Sequence, residues 1–411
     1  MGAENGTRSG ALRAGWWVAV IALFSGLGGG VVFPILPMLG LQLGLSAAMV
    51  GLILAANRIT RIFCNPLTGS LVDRFGARWP VSAGLFLSAV AVLAFNAALR
   101  SHSPGLWFIG GRVVWGIGSS LTVVGAMAAV MVIAEPSNRG RLVGRVRMTM
   151  ALGMPAGMLL GGLIADRASP NAAFLTASIL TLATAVAAMF VMPRGKAPAR
   201  TKVDAGGHVW RELLRQPALQ IIWCSNSLVF FAVAGVLLST LVVLVHARGI
   251  HVAGLGSQGS AGLLMGLLMV FRAVGALGAG NLADHHGGRT RLLLPGAVAC
   301  ALGFAALALA QQAWGVALAL MAVGLGSGAL TIPLLALLSD AVAPQTQGRA
   351  MGIYQVYSDI GGSIGPILGL QLGAFVGYGP IYIGVACAMV LMIVPLHQLV
   401  RREKRHSWQG E

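Results

Sequence analysis

The sequence predicts an all-α membrane protein with twelve transmembrane helices in two pseudo-symmetric six-helix bundles. Composition, the spacing of apolar stretches and an internal repeat support this fold class. Of the 411 residues, 57% are hydrophobic and only 9% are charged, whereas a soluble globular domain carries about 25% charged residues. The 58 glycines suit close packing of helices in lipid, where small residues let backbones approach. The composition therefore excludes an ordinary soluble enzyme.

Twelve apolar stretches have the roughly 20 residues that a helix needs to cross a hydrocarbon core of about 30 Å. In chain order they are residues 15–39, 46–72, 79–99, 105–133, 142–166, 172–192, 217–245, 256–284, 291–311, 314–341, 349–375 and 380–400. A longer polar segment separates the sixth stretch from the seventh. The predicted organisation is an N-terminal tail (1–14), a six-helix bundle (15–192), a linker (193–216), a second bundle (217–400) and a C-terminal tail (401–411).

Lys and Arg residues set the predicted orientation, because they accumulate in the cytoplasmic segments of membrane proteins. If the N-terminus is cytoplasmic, 21 of the 28 Lys and Arg residues lie in cytoplasmic segments or at the cytoplasmic ends of the adjoining stretches, three lie in the opposite loops and four lie deep within the spans. Both termini and the linker are thus predicted to be cytoplasmic. The net charge of +17 is then a topology signal, and nucleic acid is not an expected partner.

Short loops on the predicted outer side and the lack of a targeting segment favour a multi-pass protein of a bacterial inner membrane. The first apolar run, from Trp16 to Leu39, is longer than the core of a signal peptide and is not followed by a small-residue cleavage site. All four cysteines fall inside apolar stretches, so we expect neither disulfides nor a metal site.

The two halves repeat each other in their polar loops. Residues 69–78 (GSLVDRFGAR) correspond to residues 280–289 (GNLADHHGGR) at an offset of 211. The glycines of a later helix also correspond, Gly153, Gly157 and Gly161 in the first half and Gly361, Gly365 and Gly369 in the second, at an offset of 208. Many secondary transporters are built from such six-span repeats and bind their substrate at the interface of the repeats.

These segments resemble motifs of the major facilitator superfamily. Residues 69–78 resemble its G-x-L-x-D-R-x-G-R-[RK] loop between helices 2 and 3, with Ala77 in place of a basic residue. Three further segments resemble motifs of its twelve-helix drug/proton antiporter branch: 27–37 (LGGGVVFPILP), 112–118 (RVVWGIG) and 153–162 (GMPAGMLLGG). In the last of these, Met158 stands where the motif has proline. The resemblance extends over essentially the whole chain and implies a transporter that exports its substrate.

The resemblance and the repeat assign two sets of structural roles. A Gly-Asp-Arg-Gly turn can join two helices tightly, with the Asp able to cap a helix N-terminus, and its arginines can form contacts in one conformation only. We therefore expect a gating or conformational role for Gly69, Asp73, Arg74, Gly76, Arg78, Gly280, Asp284, Gly287, Arg289, Glu135 and Asp340. We expect helix packing from Pro34, Pro37, Gly153, Gly157, Gly161, Gly162, Gly361, Gly365, Pro366 and Gly369.

Charged residues within the spans are the main candidates for function, because such residues are costly in lipid. Arg61 and Arg272 each lie twelve residues before the aspartate of the repeated loop, about 18 Å deep at 1.5 Å per residue. Since four intramembrane arginines oppose one aspartate, we expect an anionic or zwitterionic substrate, held by a clamp of Arg61 and Arg272. The predicted substrate-binding residues are Arg61, Arg272, Arg58, Asn57, Asn65 and Tyr357.

Asp359 is the predicted carrier of a coupling proton, together with Arg112, because it is the one acid placed deep within a span. An alternative stays open. Arg61 or Arg272 can instead pair with Asp359, while the other arginines satisfy backbone carbonyls. Tyr354, about one turn from Asp359, can contact the substrate or pack, and packing is the favoured interpretation.

The predicted function is proton-coupled export of a small organic anion or zwitterion, such as a carboxylate metabolite or siderophore, by alternating access. Alternatives are proton-coupled uptake of an anion, multidrug efflux, a lipid-linked flippase, and a non-transporting sensor or assembly protein on the same fold. The sequence contains no phosphate-binding loop, metal cluster or nucleophile–base set, so we expect neither enzymatic activity nor a cofactor. The expected partners are the substrate, a proton and the bilayer, and the protein is expected to be a monomer.

Overall fold

The computed structural model describes residues 2–133, 139–195, 207–283, 291–343 and 346–407. Within these ranges the chain is almost wholly helical. The helices of the first half are α1 (Gly2–Gly30), α2 (Val32–Gln42), α3 (Ala47–Phe75), α4 (Arg78–Ala98), α5 (Pro104–Ile133), α6 (Arg139–Arg167) and α7 (Pro170–Val191). A short helix, α8 (Gly207–Arg215), follows in the predicted linker.

The helices of the second half include one interruption in the regular α-helical pattern. They are α9 (Pro217–Val229), a π-helical segment (Phe230–Leu237), α10 (Leu238–Ala247), α11 (Ser257–Ala283), α12 (Leu293–Leu309), α13 (Ala313–Asp340), α14 (Gln347–Val376) and α15 (Tyr378–Ser407). The chain from Pro217 to Ala247 is continuous through the π-helical segment.

Eleven of the described helices are long and apolar enough to cross a membrane, with α1 beyond Gly15 and α2 together forming the first. The helix α12 has 17 residues and is shorter than the others. The all-helical membrane fold is therefore confirmed, while the count of twelve spans and the cytoplasmic placement of both termini stay predictions.

Local sequence explains several helix boundaries. Ser46 is the N-cap of α3, and its hydroxyl accepts a hydrogen bond from the Met49 amide at 3.2 Å. Ser169 caps α7 in the same way, directly before Pro170. Serine is a preferred residue at such N-cap positions. The helix α3 ends at Gly76, which has a φ of +77°, a value that glycine adopts without strain.

The chain divides into two compact units. The first comprises Met1–Thr201 with Gln258–Leu263, and the second comprises Lys202–Ser257 with Leu264–Glu411. The predicted boundaries of the tails, bundles and linker stay predictions.

In the first unit, α1 and α6 pack with their backbones in direct contact. A Cβ atom on Gly153 would lie 2.0 Å from the Leu23 carbonyl oxygen, and one on Gly157 would lie 2.0 Å from the Leu27 carbonyl oxygen. A side chain of any size at these positions would push the helices apart. This close approach is what the predicted packing role requires.

In the second unit, α14 packs in a corresponding way against α9 and the π-helical segment. A Cβ atom on Gly361 would lie 2.1 Å from the Ser227 carbonyl oxygen, and one on Gly365 would lie 2.5 Å from the Cα of Gly235. Each unit thus joins the first and fifth helices of its repeat through glycines at equivalent sequence positions.

Candidate functional site

In the first unit, the Arg112 side chain on α5 is bound to α3. It is buried, and its Nε donates to the Ile53 carbonyl oxygen at 3.2 Å. Its Nη2 donates to the Leu54 carbonyl oxygen at 2.9 Å and to Asn57 Oδ1 at 2.7 Å. The two bonds to backbone carbonyls are of the kind that the alternative assigns to an intramembrane arginine. They give Arg112 a structural role that does not depend on proton coupling.

A second polar contact joins the same helices closer to the end of α3. The Ser120 hydroxyl donates to Asn65 Oδ1 at 2.7 Å and lies 2.8 Å from the hydroxyl of Thr68. Hydroxyl–amide contacts of this kind hold helices together in lipid. The amide oxygens of both predicted substrate-binding asparagines, Asn57 and Asn65, therefore already accept hydrogen bonds within the unit.

Arg58 and Arg61 lie on the same stretch of α3, and both are half-buried. Their positive charges act on the Arg112 guanidinium. Three arginines thus concentrate positive charge at this point of the first unit, which favours the approach of an anion.

In the second unit, Arg272 on α11 has different surroundings from Arg112. Its guanidinium carbon lies 5.4 Å from the centre of the Phe230 ring, at the start of the π-helical segment. It also interacts electrostatically with Tyr354 and Cys300. Among the described residues, its guanidinium N–H groups have no hydrogen-bond acceptor in the structure. The donors of Arg272 are thus available to a bound group.

The hydroxyl of Tyr354 is a buried polar atom without a hydrogen-bond partner in the described part of the chain. The side chain is only 7% exposed, and leaving a buried hydroxyl unpaired costs about 1–3 kcal/mol. The indole N–H of Trp223, on α9, is also fully buried and has no hydrogen-bond partner in the described part of the chain. Packing is the favoured interpretation of Tyr354 from the sequence, but its unpaired hydroxyl makes it a candidate ligand-binding residue.

Asp359 lies on α14, 1% exposed. Gln355 Nε2 donates to its Oδ2 at 3.4 Å, and the Ser363 hydroxyl donates to its backbone carbonyl at 2.6 Å. At the preceding residue of α14, the Ser358 hydroxyl accepts a hydrogen bond from Asn226 Nδ2 on α9 at 2.6 Å. Asp359 therefore lies within a polar layer of the second unit, and its role in proton coupling stays a prediction.

Tyr357, the other tyrosine of this helix, is half-buried. Its ring centre lies 5.8 Å from that of Trp223, a common separation for an aromatic pair. The substrate contact predicted for Tyr357 stays a prediction, as does the joint clamp of Arg61 and Arg272, which belong to different units.

The predicted gating segment 69–78 differs from expectation in the position of Asp73. Asp73 lies exposed in the last turn of α3 and does not cap α4, whose N-cap position is Ala77 without a side-chain capping bond. The reason is that α3 continues two residues beyond Asp73, to Phe75. Arg74 is exposed, with its guanidinium carbon 5.2 Å from the Phe75 ring centre, and Arg78 is half-buried.

The other predicted gating residues fall partly outside the described chain. Asp284, Gly287, Arg289 and Glu135 lie outside the described residues. Gly280 is half-buried in α11, Asp340 is exposed at the end of α13, and Gly69 has open space around its Cα.

Sequence reasoning missed three residues of the second unit that contact the candidate side chains there, Trp223, Phe230 and Asn226. Trp223 and Phe230 were treated as ordinary apolar residues of a span, and nothing in their spacing distinguishes them from their neighbours. Asn226 could have been found, because an asparagine in the middle of an apolar stretch is costly unless it is bonded.

An arginine that belonged to no predicted site binds the C-terminal end of α12. Arg248, which follows α10, donates to the carbonyl oxygens of Leu307 at 2.9 Å and Ala308 at 2.7 Å, and also to that of Ala310. A cation at the C-terminus of a helix is favourable. Partial burial lowers the pKa of Arg248 from its ordinary value.

Together, the membrane-length helices, the repeated glycine contacts and the charged clusters inside both units define a multi-pass membrane protein with polar groups placed for binding. The family model of the Major Facilitator Superfamily matches residues 18–257 and 250–411. The chain belongs to this superfamily. It is accordingly a transporter of the cell membrane and not an enzyme.

Two relatives illustrate the branch that the chain resembles. The tetracycline resistance protein, class B, of Escherichia coli is 29% identical over 363 residues, which cover 85% of this chain and 86% of the relative. The multi-drug resistance efflux pump PmrA homolog of Lactococcus lactis is 22% identical over 395 residues, which cover 92% of each protein.

Solved structures show the same fold at low sequence identity. The nucleoside transporter NupG superimposes with a TM-score of 0.75 at 14% identity, over 94% of this chain and 99% of that one. The human organic anion transporter MFSD10 superimposes with a TM-score of 0.66 at 18% identity, over 94% of this chain and 99% of that one.

Proposed function

We propose that the protein is a proton-coupled exporter of a small organic anion or zwitterion, working by alternating access. The observation that carries the substrate class is the pair formed by Arg272 and Tyr354 in the second unit. The first offers N–H donors that have no acceptor among the described residues, and the second offers a buried hydroxyl without a partner. A carboxylate, enolate or phosphate oxygen on the substrate would accept from both.

The charges of the first unit support the same substrate class. The charges of Arg58 and Arg61 act on Arg112 there, and this concentration of positive charge disfavours a cationic substrate. Arginine is also well suited to two-point binding of a carboxylate or phosphate.

The direction of transport rests on the relatives. The names of the similar proteins describe resistance to tetracycline and efflux of several drugs. These names also favour a second candidate function, multidrug efflux, in which substrates of different charge are exported.

Transport of compounds of matched size and different charge tests the proposal. Cells that overproduce the protein and cells that lack it are loaded with anionic, zwitterionic and cationic compounds, including tetracycline, and efflux is followed. We expect export of the anionic and zwitterionic compounds only. Export of the cations at a similar rate would favour multidrug efflux and contradict the substrate class proposed here.

A pair of tyrosine variants tests the site. Tyr354→Phe removes the unpaired hydroxyl, and we expect the apparent KM for the anion to rise about tenfold, the value of one charge-assisted hydrogen bond. The matched control is Tyr382→Phe, because that buried hydroxyl already bonds to Thr240 at 2.8 Å. An unchanged KM in Tyr354→Phe would exclude the tyrosine from the site.

A double-variant cycle tests the predicted clamp separately. Arg61→Gln and Arg272→Gln are measured singly and together. If both guanidiniums bind the same substrate group, their effects on substrate affinity are coupled by about 1 kcal/mol or more. Additive effects would exclude the clamp while leaving the role of Arg272 intact.

A further inference from the structure

A basic cavity lies in the first unit, at the junction of the α3–α4 loop and the end of α7. Its volume is about 440 Å³, and it is lined by Phe75, Gly76, Ala77, Arg78, Trp79, Met189, Phe190, Arg194 and Gly195. Two of these nine residues are arginines and none is acidic. The distribution of Lys and Arg predicts that the loop and the end of α7 both lie on the cytoplasmic side.

The cavity is built by a close backbone contact. A Cβ atom on Gly76 would lie 2.6 Å from the Gly195 carbonyl oxygen, and the φ of Gly76 is +77°. Position 76 therefore requires glycine, both because its φ is positive and because there is no space for a Cβ atom. The same contact holds the α3–α4 loop against the segment that carries Arg194. The two arginines are brought to one cavity by this contact.

The charge of the cavity favours an anion. Arg78 and Arg194 each offer a planar set of N–H donors, which suits a phosphate oxygen pair. The N-terminus of α4 opens at the same place, with no side-chain cap and no acidic residue in its first turn, so its positive end adds to the field of the two guanidiniums.

The rim of the cavity distinguishes a lipid from a free anion. Phe75 is 54% exposed, Trp79 is 64% exposed and Phe190 is 76% exposed. Exposed aromatic side chains are typical of the level at which acyl chains meet headgroups. A free phosphate ion gains nothing from these rings, whereas a phospholipid can place its glycerol and upper acyl chains against them.

We propose that this cavity binds the phosphate headgroup of an anionic phospholipid of the cytoplasmic leaflet. Arg78 and Arg194 bind the phosphate, and Trp79 and Phe190 contact the acyl chains. Basic pockets between transmembrane helices at the cytoplasmic surface are suited to such headgroups. The site is separate from the Arg272–Tyr354 pair and does not depend on the transported substrate.

Native mass spectrometry of the purified full-length protein tests the proposal. The protein is delipidated in detergent and titrated with dioleoylphosphatidylglycerol, with dioleoylphosphatidylcholine or with inorganic phosphate in excess. We expect a saturable phosphatidylglycerol adduct that neither phosphatidylcholine nor inorganic phosphate displaces at equal concentration. Equal binding of phosphatidylcholine would contradict recognition of the charge, and displacement by inorganic phosphate would contradict a lipid as the occupant.

Variants locate the adduct. Arg194 is exposed, so Arg194→Gln is expected to fold normally and to weaken phosphatidylglycerol binding about fivefold, while the double variant with Arg78→Gln weakens it about thirtyfold. The matched control is Arg401→Gln, an exposed arginine on the same predicted side and outside the cavity. Unchanged binding in Arg194→Gln, or an equal loss in Arg401→Gln, would overturn the proposal.

Discussion

Arg112 and Arg272 are both intramembrane arginines, but the structure predicts opposite consequences when each is replaced by glutamine. Arg112→Gln removes three hydrogen bonds to α3, at 3.2, 2.9 and 2.7 Å. The two carbonyl acceptors keep their helical bonds, so the main cost is the unpaired oxygen of Asn57 together with the lost charge-assisted bonds. The expected loss in the free energy of unfolding is about 3 kcal/mol.

Arg272→Gln removes a contact with the Phe230 ring, at 5.4 Å, and no hydrogen bond to a described residue. A cation–π contact contributes about 0.5–2 kcal/mol, and the cost of keeping a charge out of water is relieved at the same time. The free energy of unfolding is therefore expected to change by less than about 1 kcal/mol, although transport of the anion is impaired.

Unfolding of the two variants in mixed micelles with increasing sodium dodecyl sulfate measures this difference, with the helical circular dichroism signal as the readout. Arg112→Gln should unfold at a clearly lower detergent fraction than the wild type, and Arg272→Gln close to the wild type. Equal destabilisation would refute the distinction between a structural and a binding arginine.

Three further variants test other parts of the structure. Gly157→Ala places a Cβ against α1 and should lower both stability and transport, whereas Gly144→Ala on the same helix, with open space around it, should leave the melting temperature unchanged; equal effects would refute the close-contact argument. Arg248→Gln should lower the free energy of unfolding by about 1–3 kcal/mol, and the exposed Arg100→Gln should not; a stable Arg248 variant would refute the role at the end of α12. Asp359→Asn should abolish transport driven by a pH gradient while leaving substrate counterflow, and proton-driven transport in that variant would exclude Asp359 as the carrier.

The fold was predictable from the sequence because membrane-length apolar stretches have a strong signal. Apart from α1, which begins at Gly2, and α15, which ends at Ser407, the helices begin and end within a few residues of the predicted spans. The glycines on α6 and α14 lie where a small side chain is needed. The break between α1 and α2 was not predicted, although Gly28–Gly30 precede Val31 and Pro34 has no amide to donate to the carbonyl of Gly30. The π-helical segment was not predicted either, since the run from Phe230 to Leu237 carries no distinguishing composition.

The candidate site was predictable only in part. Depth and charge identified Arg61, Arg112 and Arg272, but the sequence could not show that one of them is fully bonded to a neighbouring helix and another is not. That difference depends on which side chains of α3 and α11 approach each guanidinium. The unpaired hydroxyl of Tyr354 is likewise a property of packing in three dimensions, and spacing along α14 does not reveal it.

The most direct test of the central claim is counterflow with an anionic substrate and its neutral amide analogue in proteoliposomes that contain the wild type or Arg272→Gln. If Arg272 binds the negative group, the variant loses about tenfold or more in apparent affinity for the anion and is unchanged toward the amide. An equal loss for both compounds, or no loss for the anion, would contradict the account.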